Sequence, residues 1–248
     1  GIFDHIERRY DVDMTQQFEE RLQLMAQADE GGIYCYHVAE HHHSPLCLAP
    51  NQTVFLAAAS QRTKSIKLGT LVFVLPFHHP ISLLEELCMV DRMSNGRVQI
   101  GVGPGAGGGG EIAVWGGDPA ESRQRFNETL EILIKGFQTD FLSYEGQHYR
   151  FKDLWMELTS VQRPHPPFWY AGNPAHAAEY GMNFVGLGSS ERLGDQIEAY
   201  KNAWRAFQAN PTPMTAHLSD PLYGGNTHLL VCDSDAEARE RAESAYQA

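Results

Sequence analysis

The stretch IKLGTLVFVL at residues 66–75 is apolar at almost every position, and VQIGVG at residues 98–103 continues the same pattern. A strand with water on one face would alternate apolar and polar side chains, and these two runs do not. They are typical of strands buried on both faces, as in a barrel or in a doubly wound sheet covered by helices. The sheet of this protein is therefore predicted to lie beneath a layer of helices.

Short β-rich runs alternate with amphipathic helices along the chain, which indicates an α/β protein with helical crossovers. An eight-stranded (β/α)8 TIM barrel takes about 250 residues, and this chain has 248. Because no strand follows the last helical segment, we expect the chain to end before the last strand and helix of such a barrel. Seven strands are predicted, at residues 1–6, 32–39, 66–75, 98–103, 167–171, 184–188 and 227–232.

A single barrel domain over residues 1–248 is expected, with an inserted hairpin-like excursion at about 139–165. Helix starts are indicated by capping arrangements, in which a side chain satisfies backbone N–H groups of the first turn. The candidate pairs are Asp13 with Gln16, Ser82 with Glu85, Asp118-Pro119 with Glu121, and Ser234 with Glu237.

The composition excludes several classes of partner. A formal net charge of -12 and the absence of a Lys/Arg run argue against a nucleic-acid surface, which needs clustered positive charge. No apolar stretch approaches the roughly 18 residues that cross a bilayer, and GIFDHIERR lacks the pattern of a signal peptide. We expect a cytoplasmic protein with reduced cysteines, because no C-x-x-C pair occurs among Cys35, Cys47, Cys88 and Cys232.

The run AEHHHSP at residues 39–45 follows the second predicted strand, and catalytic groups of barrel enzymes gather at the carboxyl ends of the strands. Since side chains alternate along a strand, Glu40 and His42 are predicted to face one way while His41 and His43 face the other. The run is a candidate catalytic site. The alternative is a set of solvated histidines at a strand end.

A metal site would need further ligands from His78 and His79, which end the third predicted strand in LPFHHP. Such a cluster is conceivable for zinc or iron. Neither H-E-x-x-H nor a two-His-one-carboxylate spacing is present, so we expect no metal.

Two further stretches are candidate ligand sites. The tract GVGPGAGGGG contains G-x-G-x-x-G at Gly103, Gly105 and Gly108, but the next helix is expected only near residue 119, so the dinucleotide motif is a weak match. A loop that lets backbone approach a flat ligand, or simply a mobile active-site loop, fits the tract better. Gly172, with an Asn173 cap and a following proline, suits an anion seat at a helix start or an ordinary capped helix.

Taken in order, these segments resemble the bacterial luciferase-like family of flavin-dependent monooxygenases. The D-x-x-S-x-G-R run and E-H-H are the most specific parts, and the joint order of the segments is the main argument. The matching segments are GIFDH, AEHHHSP, LGTLVFVLPFHHPI, VDRMSNGRVQIGVG, GGDPAESRQRFNE, YEGQHYRF and PPFWYAGNPAHAAEYG. They cover about the first three quarters of a usual family member, whose barrel continues with an eighth strand and a final helix.

The resemblance implies reduced FMN in the barrel mouth, where C4a-peroxyflavin chemistry with O2 oxidises an aldehyde or another small organic substrate. It places His41 beside the reactive edge of the flavin, with Glu40 and His42 in support. It also implies that the third strand presses its backbone against the flavin ring and that a second group of residues surrounds the phosphate. These cofactor-binding residues are Thr70, Leu71 and Val72 for the ring, Gly103 and Pro104 after the fourth strand, and Gly172, Asn173 and His176 for the phosphate.

One position departs from the family. Pro104 stands where the luciferases carry an arginine that binds the phosphate, which should weaken cofactor binding because a guanidinium offers charge and fixed donors. Arg97, Arg123 or Arg125 are candidates to compensate, as are the backbone groups of residues 172 and 173.

The resemblance also implies partners and leaves alternatives open. Because no convincing NAD(P)H fingerprint is present, a separate flavin reductase is expected to supply reduced FMN. A homodimer or heterodimer is expected, with Leu84, Leu87 and Cys88 as a candidate seam that core packing explains equally well. The alternatives are a deazaflavin-dependent oxidoreductase of the same superfamily and a non-catalytic, flavin-binding companion subunit.

Overall fold

The computed structural model describes residues 1–105, 110–209 and 220–246. Its strands are β1 (Ile2–Asp4), β2 (Cys35–Val38), β3 (Lys67–Thr70), β4 (Phe73–Val74), β5 (Val98–Gly103), β6 (Phe141–Glu145), β7 (Arg150–Trp155), β8 (Phe168–Ala171), β9 (Asn183–Gly186) and β10 (Tyr223–Gly225). Its helices are α1 (Met14–Glu30), α2 (Gln52–Ser60), α3 (Pro80–Met93), α4 (Gly110–Val114), α5 (Ser122–Gln138), α6 (Pro174–Glu179), α7 (Ser190–Ala209) and α8 (Asp235–Tyr246).

One curled parallel sheet forms the centre of the fold. Its spatial order is β1, β2, β3, β5, β8, β9, β10, and the short β4 pairs with β5 beyond the end of β3. Within the described ranges, β1 and β10 are the two edges of this sheet, and two cavities of 210 and 530 Å³ lie between them. The predicted α/β architecture, a parallel sheet with helical crossovers, is confirmed.

The two faces of the sheet bury different side chains. Phe168 and Tyr170 belong to the main core, which also contains the buried residues of α3 and α5. Trp169 lies between them in sequence and packs in a second, smaller cluster with Leu71 and Val185. Because neighbouring side chains on a strand point to opposite faces, this second cluster marks the inner face of the curled sheet.

Most of the predicted helix starts are confirmed. Asp13 accepts hydrogen bonds from the N–H groups of Thr15 and Gln16, and Ser234 accepts one from Glu237. Asp118 caps a 3-10 turn at Pro119–Glu121 that leads directly into α5.

The predicted start at Ser82 is wrong. Helix α3 begins at Pro80 after His79, and neither residue provides a side-chain cap. Proline is favoured in the first turn because its fixed φ suits a helix and its missing N–H is not needed there. Ser82 instead directs its hydroxyl to Glu86, 3.4 Å away.

The seventh predicted strand, at residues 227–232, is also wrong. The strand that pairs with β9 is β10, and its register is set by Asn183, whose side-chain oxygen accepts the N–H of Leu222 at 2.8 Å. The apolar run further along the chain remains outside the sheet, with Leu229 85% and Val231 79% exposed.

The residues expected at a subunit seam lie in the core. Leu84, Leu87 and Cys88 are at most 2% exposed, so the apolar stripe of α3 packs against this chain's own sheet and helices. Association of two chains stays a prediction. No helix among the described residues has the length and apolar character needed to span a bilayer.

A two-stranded hairpin lies within the segment predicted as an excursion. Strands β6 and β7 pair antiparallel, with Phe141 opposite Trp155. The turn is held by Glu128 of α5, whose carboxylate accepts the N–H groups of Gln147, His148 and Tyr149. The hairpin is thereby fastened to the helix that precedes it. The assignment of the whole chain to one domain stays a prediction.

The D-x-x-S-x-G-R run contributes to a buried hydrogen-bond network just before the start of β5. Asp91 is fully buried, and its Oδ2 accepts the Ser160 hydroxyl and the N–H groups of Val161 and Gln162. Oδ1 accepts the side-chain amide of Gln162 at 2.8 Å. This carboxylate fixes the chain that returns from the hairpin towards β8.

We predict that Asp91→Ala lowers the free energy of unfolding by about 3 kcal/mol, because buried donors lose a charged acceptor. Urea denaturation measures the change. Glu85→Ala is the control, since this carboxylate is exposed on the same helix and its removal should change stability by less than about 0.5 kcal/mol. Equal losses in the two variants would contradict a structural role for Asp91.

Candidate active site

Glu40 is a buried carboxylate just beyond the carboxyl end of β2. Its side chain has no exposed surface. Oε1 lies 2.8 Å from His42 Nε2 and 3.0 Å from His78 Nε2, and Oε2 accepts the N–H of Val74 at 2.7 Å. A buried charge is tolerated only when it is paired and hydrogen-bonded, and these three groups satisfy that requirement.

The environment keeps the Glu40 carboxyl ionised. Burial by itself raises its pKa, but the hydrogen bonds from His42 and His78 and the N–H of Val74 outweigh burial. The net pKa is lowered from its ordinary value of 4.5. A fixed negative charge therefore lies between the segments that follow β2 and β4.

His42 is enclosed by aromatic rings. Its ring makes edge contacts with Phe77 at 5.4 Å and with Trp115 at 4.9 Å, measured between ring centroids. With one nitrogen on Glu40 and both neighbours in place, this imidazole has a fixed orientation. A cavity of 280 Å³ opens beside this cluster.

His41 faces a different environment. Its ring stacks on His5 with centroids 5.5 Å apart, and its Nδ1 lies 3.5 Å from Glu111 Oε1. One third of the side chain is exposed. His5 in turn contacts Phe3, at 4.7 Å, and Phe3 packs on the inner-face cluster. The structure thus brings Glu40 and His42 together and leaves His41 at the mouth, next to the inner face.

The remaining histidines do not join the Glu40 cluster as a metal site would require. His79 contacts Tyr149 and Phe151 of the hairpin region, and His43 is exposed. In the ranges 1–105, 110–209 and 220–246, no group of three or more His, Cys, Asp or Glu side chains has an arrangement that could hold a metal ion.

Burial perturbs two other histidines near the barrel opening. Burial and then the nearby His41 lower the pKa of His5. His37 lies deeper in the barrel against Trp169, and burial lowers its pKa to about 4. Both imidazoles are therefore biased towards the neutral form.

The last residue of β3 and the two that follow it contribute unequally to the inner face. Leu71 and Val72 join the apolar cluster there and are linked by a cis peptide bond. Thr70 is fully buried, and its hydroxyl bonds to the backbone of Gly101 on β5. It therefore ties two strands together, and any approach of a ligand to this position is to backbone.

Sequence reasoning missed several residues of the inner face. Trp169 donates its indole N–H to Gln99 at 2.6 Å, and Phe3, Ala171 and Val185 complete the apolar surface. The sequence could have indicated Trp169 only through the alternation of side chains along FWYA, combined with a predicted strand order. Its hydrogen bond to Gln99 on β5 depends on the tertiary structure and has no local signal.

The segment after β5 packs closely. A Cβ added at Gly103 would lie 2.7 Å from Val72 Cγ2, so only glycine allows this approach. The carbonyl of Pro104 accepts the hydroxyl of Ser122 at the start of α5. Gly108 lies outside the described residues. Contrary to expectation, a helix begins ahead of residue 119: α4 starts at Gly110. The glycines on both sides of α4 had indicated a loop there.

A second polar region lies where β8 meets α6. Gly172 has a φ of 143°, and Asn173 Oδ1 caps α6 by accepting the N–H groups of Ala175 and His176. His176 Nε2 is buried and has no hydrogen-bond partner among the described residues. Burial and then the charge of Arg123 lower the pKa of His176.

The three arginines proposed to replace the missing family arginine have different surroundings. Arg97 is buried and donates to the carbonyl groups of residues 60, 63, 66 and 94. It lies at the amino ends of the strands, away from the candidate site at their carboxyl ends. Arg125 pairs with Glu121 at 3.0 Å. Arg123 is exposed, donates to the hydroxyl of Tyr170 at 3.3 Å and lies over the ring of Phe126 at 5.6 Å. Of the three arginines, it is the one whose charge lowers the pKa of the unpartnered His176.

The model of the luciferase-like monooxygenase family matches residues 1–248. The oxygenase component of flavin-dependent trigonelline monooxygenase from Acinetobacter baylyi is 32% identical over 98% of this chain and 67% of its own length. The chain spans about two thirds or less of the length of the curated relatives that it matches.

Solved structures agree on the fold. Monooxygenase RslO1 from Streptomyces bottropensis superposes with a TM-score of 0.87 at 26% identity, covering 100% of this chain and 77% of that one. The oxygenating constituent of 3,6-diketocamphane monooxygenase from Pseudomonas putida, solved in complex with FMN, gives a TM-score of 0.83 at 22% identity, covering 98% and 70%. With its whole length matched by the family and its sheet shared with these structures, the chain belongs to the luciferase-like monooxygenase family.

Proposed function

We propose that this chain is the oxygenase part of a flavin-dependent monooxygenase that uses reduced FMN and O2 to oxidise an aldehyde or another small organic substrate. The observation that carries the proposal is the separation within the AEHHH run. Glu40 and His42 are locked below the surface, whereas His41 stands at the mouth, next to the apolar inner face.

The residues present fit an FMN molecule. The inner face offers a flat apolar surface from Leu71, Val72, Trp169 and Val185, which suits a planar ring system. At the other end, His176 has a buried nitrogen without a partner and Arg123 supplies a positive charge. An unsatisfied buried polar atom next to a cation is suited to an anionic group such as a phosphate.

Reduced flavin, when bound, supplies the electrons with which O2 is activated. The protein's own residues orient the reactants and move a proton. An imidazole has two ring nitrogens, one of which can accept a proton while the other donates a hydrogen bond, so His41 can serve in either way during the reaction. The charge of Glu40, with the fixed ring of His42, holds the backbone on which His41 stands.

The substrate is proposed only as a class. The relatives named above act on trigonelline and on a diketocamphane, which differ in shape and charge. The cavity of 280 Å³ beside His42, Phe77 and Trp115 has room for a small organic molecule.

We predict that the protein delays the reoxidation of reduced FMN by O2 and that His41→Ala changes the delay by at least about tenfold, because general acid–base catalysis contributes this much or more. Anaerobic protein with reduced FMN is mixed rapidly with oxygenated buffer, and the oxidised-flavin absorbance is followed. His79→Ala is the control, since that ring packs against the hairpin region.

Other outcomes select the alternatives. Reoxidation at the rate of flavin in solution, together with tighter binding of a deazaflavin than of FMN, would indicate the hydride-transferring enzyme. A delay without oxidation of a long-chain aldehyde or any other substrate would fit the companion subunit.

We predict that Arg123→Met weakens FMN binding by about 10- to 100-fold and leaves riboflavin binding unchanged, because only FMN carries the phosphate and one charge-assisted contact is lost. Fluorescence titration with the two flavins measures both constants. Arg125→Met is the matched control, because Arg125 is already engaged by Glu121. Equal weakening of both flavins would show that Arg123 does not bind the phosphate.

We propose that reduced flavin comes from a separate reductase, as the words "oxygenase component" imply for the trigonelline relative. The purified protein loaded with FMN is expected to consume no NADH above the rate of FMN in solution. Adding any NADH-dependent flavin reductase should start turnover. Steady NADH oxidation without the reductase would contradict this proposal.

A further inference from the structure

Glu111 is a carboxylate without a local signature in the sequence, and it contacts both His41 and His42 of the AEHHH run. It lies in the first turn of α4. Its Oε1 accepts the backbone N–H of His42 at 3.1 Å and lies 3.5 Å from Nδ1 of His41. One oxygen atom thus bridges the main chain of one histidine and the ring of its neighbour.

Helix α4 is fixed in place on the remainder of the site. Ile112 is 7% exposed, and its side chain fills the space next to Gly105 and Gly117. Trp115, directly after the helix, stacks on Phe77 at 5.7 Å and meets the ring of His42 at 4.9 Å. These contacts fix the backbone of the helix on both sides of Glu111. The side chain of Glu111 is 38% exposed, and its carboxylate is held by the hydrogen bond from the N–H of His42.

The position of this carboxylate matters for the chemistry of His41. A neutral imidazole carries its proton on only one of two nitrogens, and the partner of one nitrogen decides which. A carboxylate next to Nδ1 favours a proton there, because a nitrogen lone pair directed at a negative oxygen is repelled. Nε2 is then left as the acceptor. His5 stacks on the face of the His41 ring and therefore does not determine which ring nitrogen carries the proton. Glu111, next to Nδ1, does.

We propose that Glu111 is a positioning residue that fixes His41 in the tautomer with the proton on Nδ1 and anchors the main chain at His42. The proposal rests on the proposed function in one respect: it gives His41 the role of the reacting imidazole, with Nε2 as the nitrogen that takes up a proton. The geometry itself involves only this chain.

The test is ¹⁵N NMR of the ligand-free protein with labelled imidazoles, at about two pH units above the ordinary imidazole pKa of 6.5. The His41 signals are assigned by their loss in His41→Gln. We expect the Nδ1–H pattern in the unmodified protein, in which Oε1 of Glu111 lies 3.5 Å from Nδ1 of His41. Glu111→Leu should move His41 to the Nε2–H pattern.

Glu198→Leu is the control. It removes an exposed carboxylate on α7 that forms an ion pair with Lys201. The signals of His37 and His176 report whether each variant is folded, and Glu111→Ser replaces Glu111→Leu if the latter is not. An unchanged His41 pattern in a folded Glu111→Leu or Glu111→Ser variant would overturn the proposal.

A second readout separates this proposal from the proposed function. With reduced FMN and O2, Glu111→Leu is expected to change the oxygen reaction by about tenfold with an unaltered dissociation constant for FMN, since a misplaced reacting group costs rate. If the tautomer shifts while both Glu111→Leu and His41→Ala react normally with oxygen, Glu111 positions His41 as proposed and the role of His41 in oxygen chemistry is wrong.

Discussion

The buried charge of Glu40 is the interaction on which the mouth of the barrel depends. It connects the segment after β2 with the N–H of Val74 and with His78, so two neighbouring loops share one acceptor. Removing one partner of such a buried charge costs about 3 to 5 kcal/mol, because the remaining partners lose their compensation. The loops are therefore held in one arrangement. His41 inherits that arrangement, because its neighbours in the chain are Glu40 itself and His42, whose ring contacts Glu40 and whose N–H donates to Glu111.

The two ends of the sheet have different tasks. At the amino ends, the guanidinium of Arg97 and the carboxylate of Asp91 are buried and hydrogen-bonded to backbone and side-chain partners. At the carboxyl ends, His41 and Arg123 keep exposed surface. In barrels of this type, chemistry is placed at the carboxyl ends and stability at the amino ends. The D-x-x-S-x-G-R run, one of the segments that carry the resemblance to the family, thus serves the fold.

Local patterns predicted the parts of the structure that depend on local physics. Fully apolar runs gave the buried strands, Asp13 and Asn173 gave helix starts, and alternation after β2 placed Glu40 with His42. The errors arise where distant residues decide. The apolar run at 227–232 has the composition of a strand, but the amide of Asn183 pairs with the chain upstream of it.

The candidate site followed the same division. Three arginines were equivalent in the sequence, and only tertiary contacts separate them. Glu111 was passed over because a carboxylate after a glycine tract has no local signature, and its partners lie 69 and 70 positions earlier in the chain. Trp169 was missed because its place on the inner face depends on a hydrogen bond to Gln99, which belongs to another strand.

The electrostatics of the chain explain why a single arginine matters for the proposed phosphate seat. With a net charge of -12, the overall field opposes the approach of an anion. At physiological ionic strength that field is screened beyond about 8 Å, whereas a cation in direct contact is not. Arg97 and Arg125 have their charges taken up by carbonyl groups and by Glu121. In the proposed FMN complex, the dianion at the β8–α6 junction is assigned to Arg123 and to His176 beside it, because the lowered pKa of His176 favours a neutral ring that can offer an uncharged N–H donor.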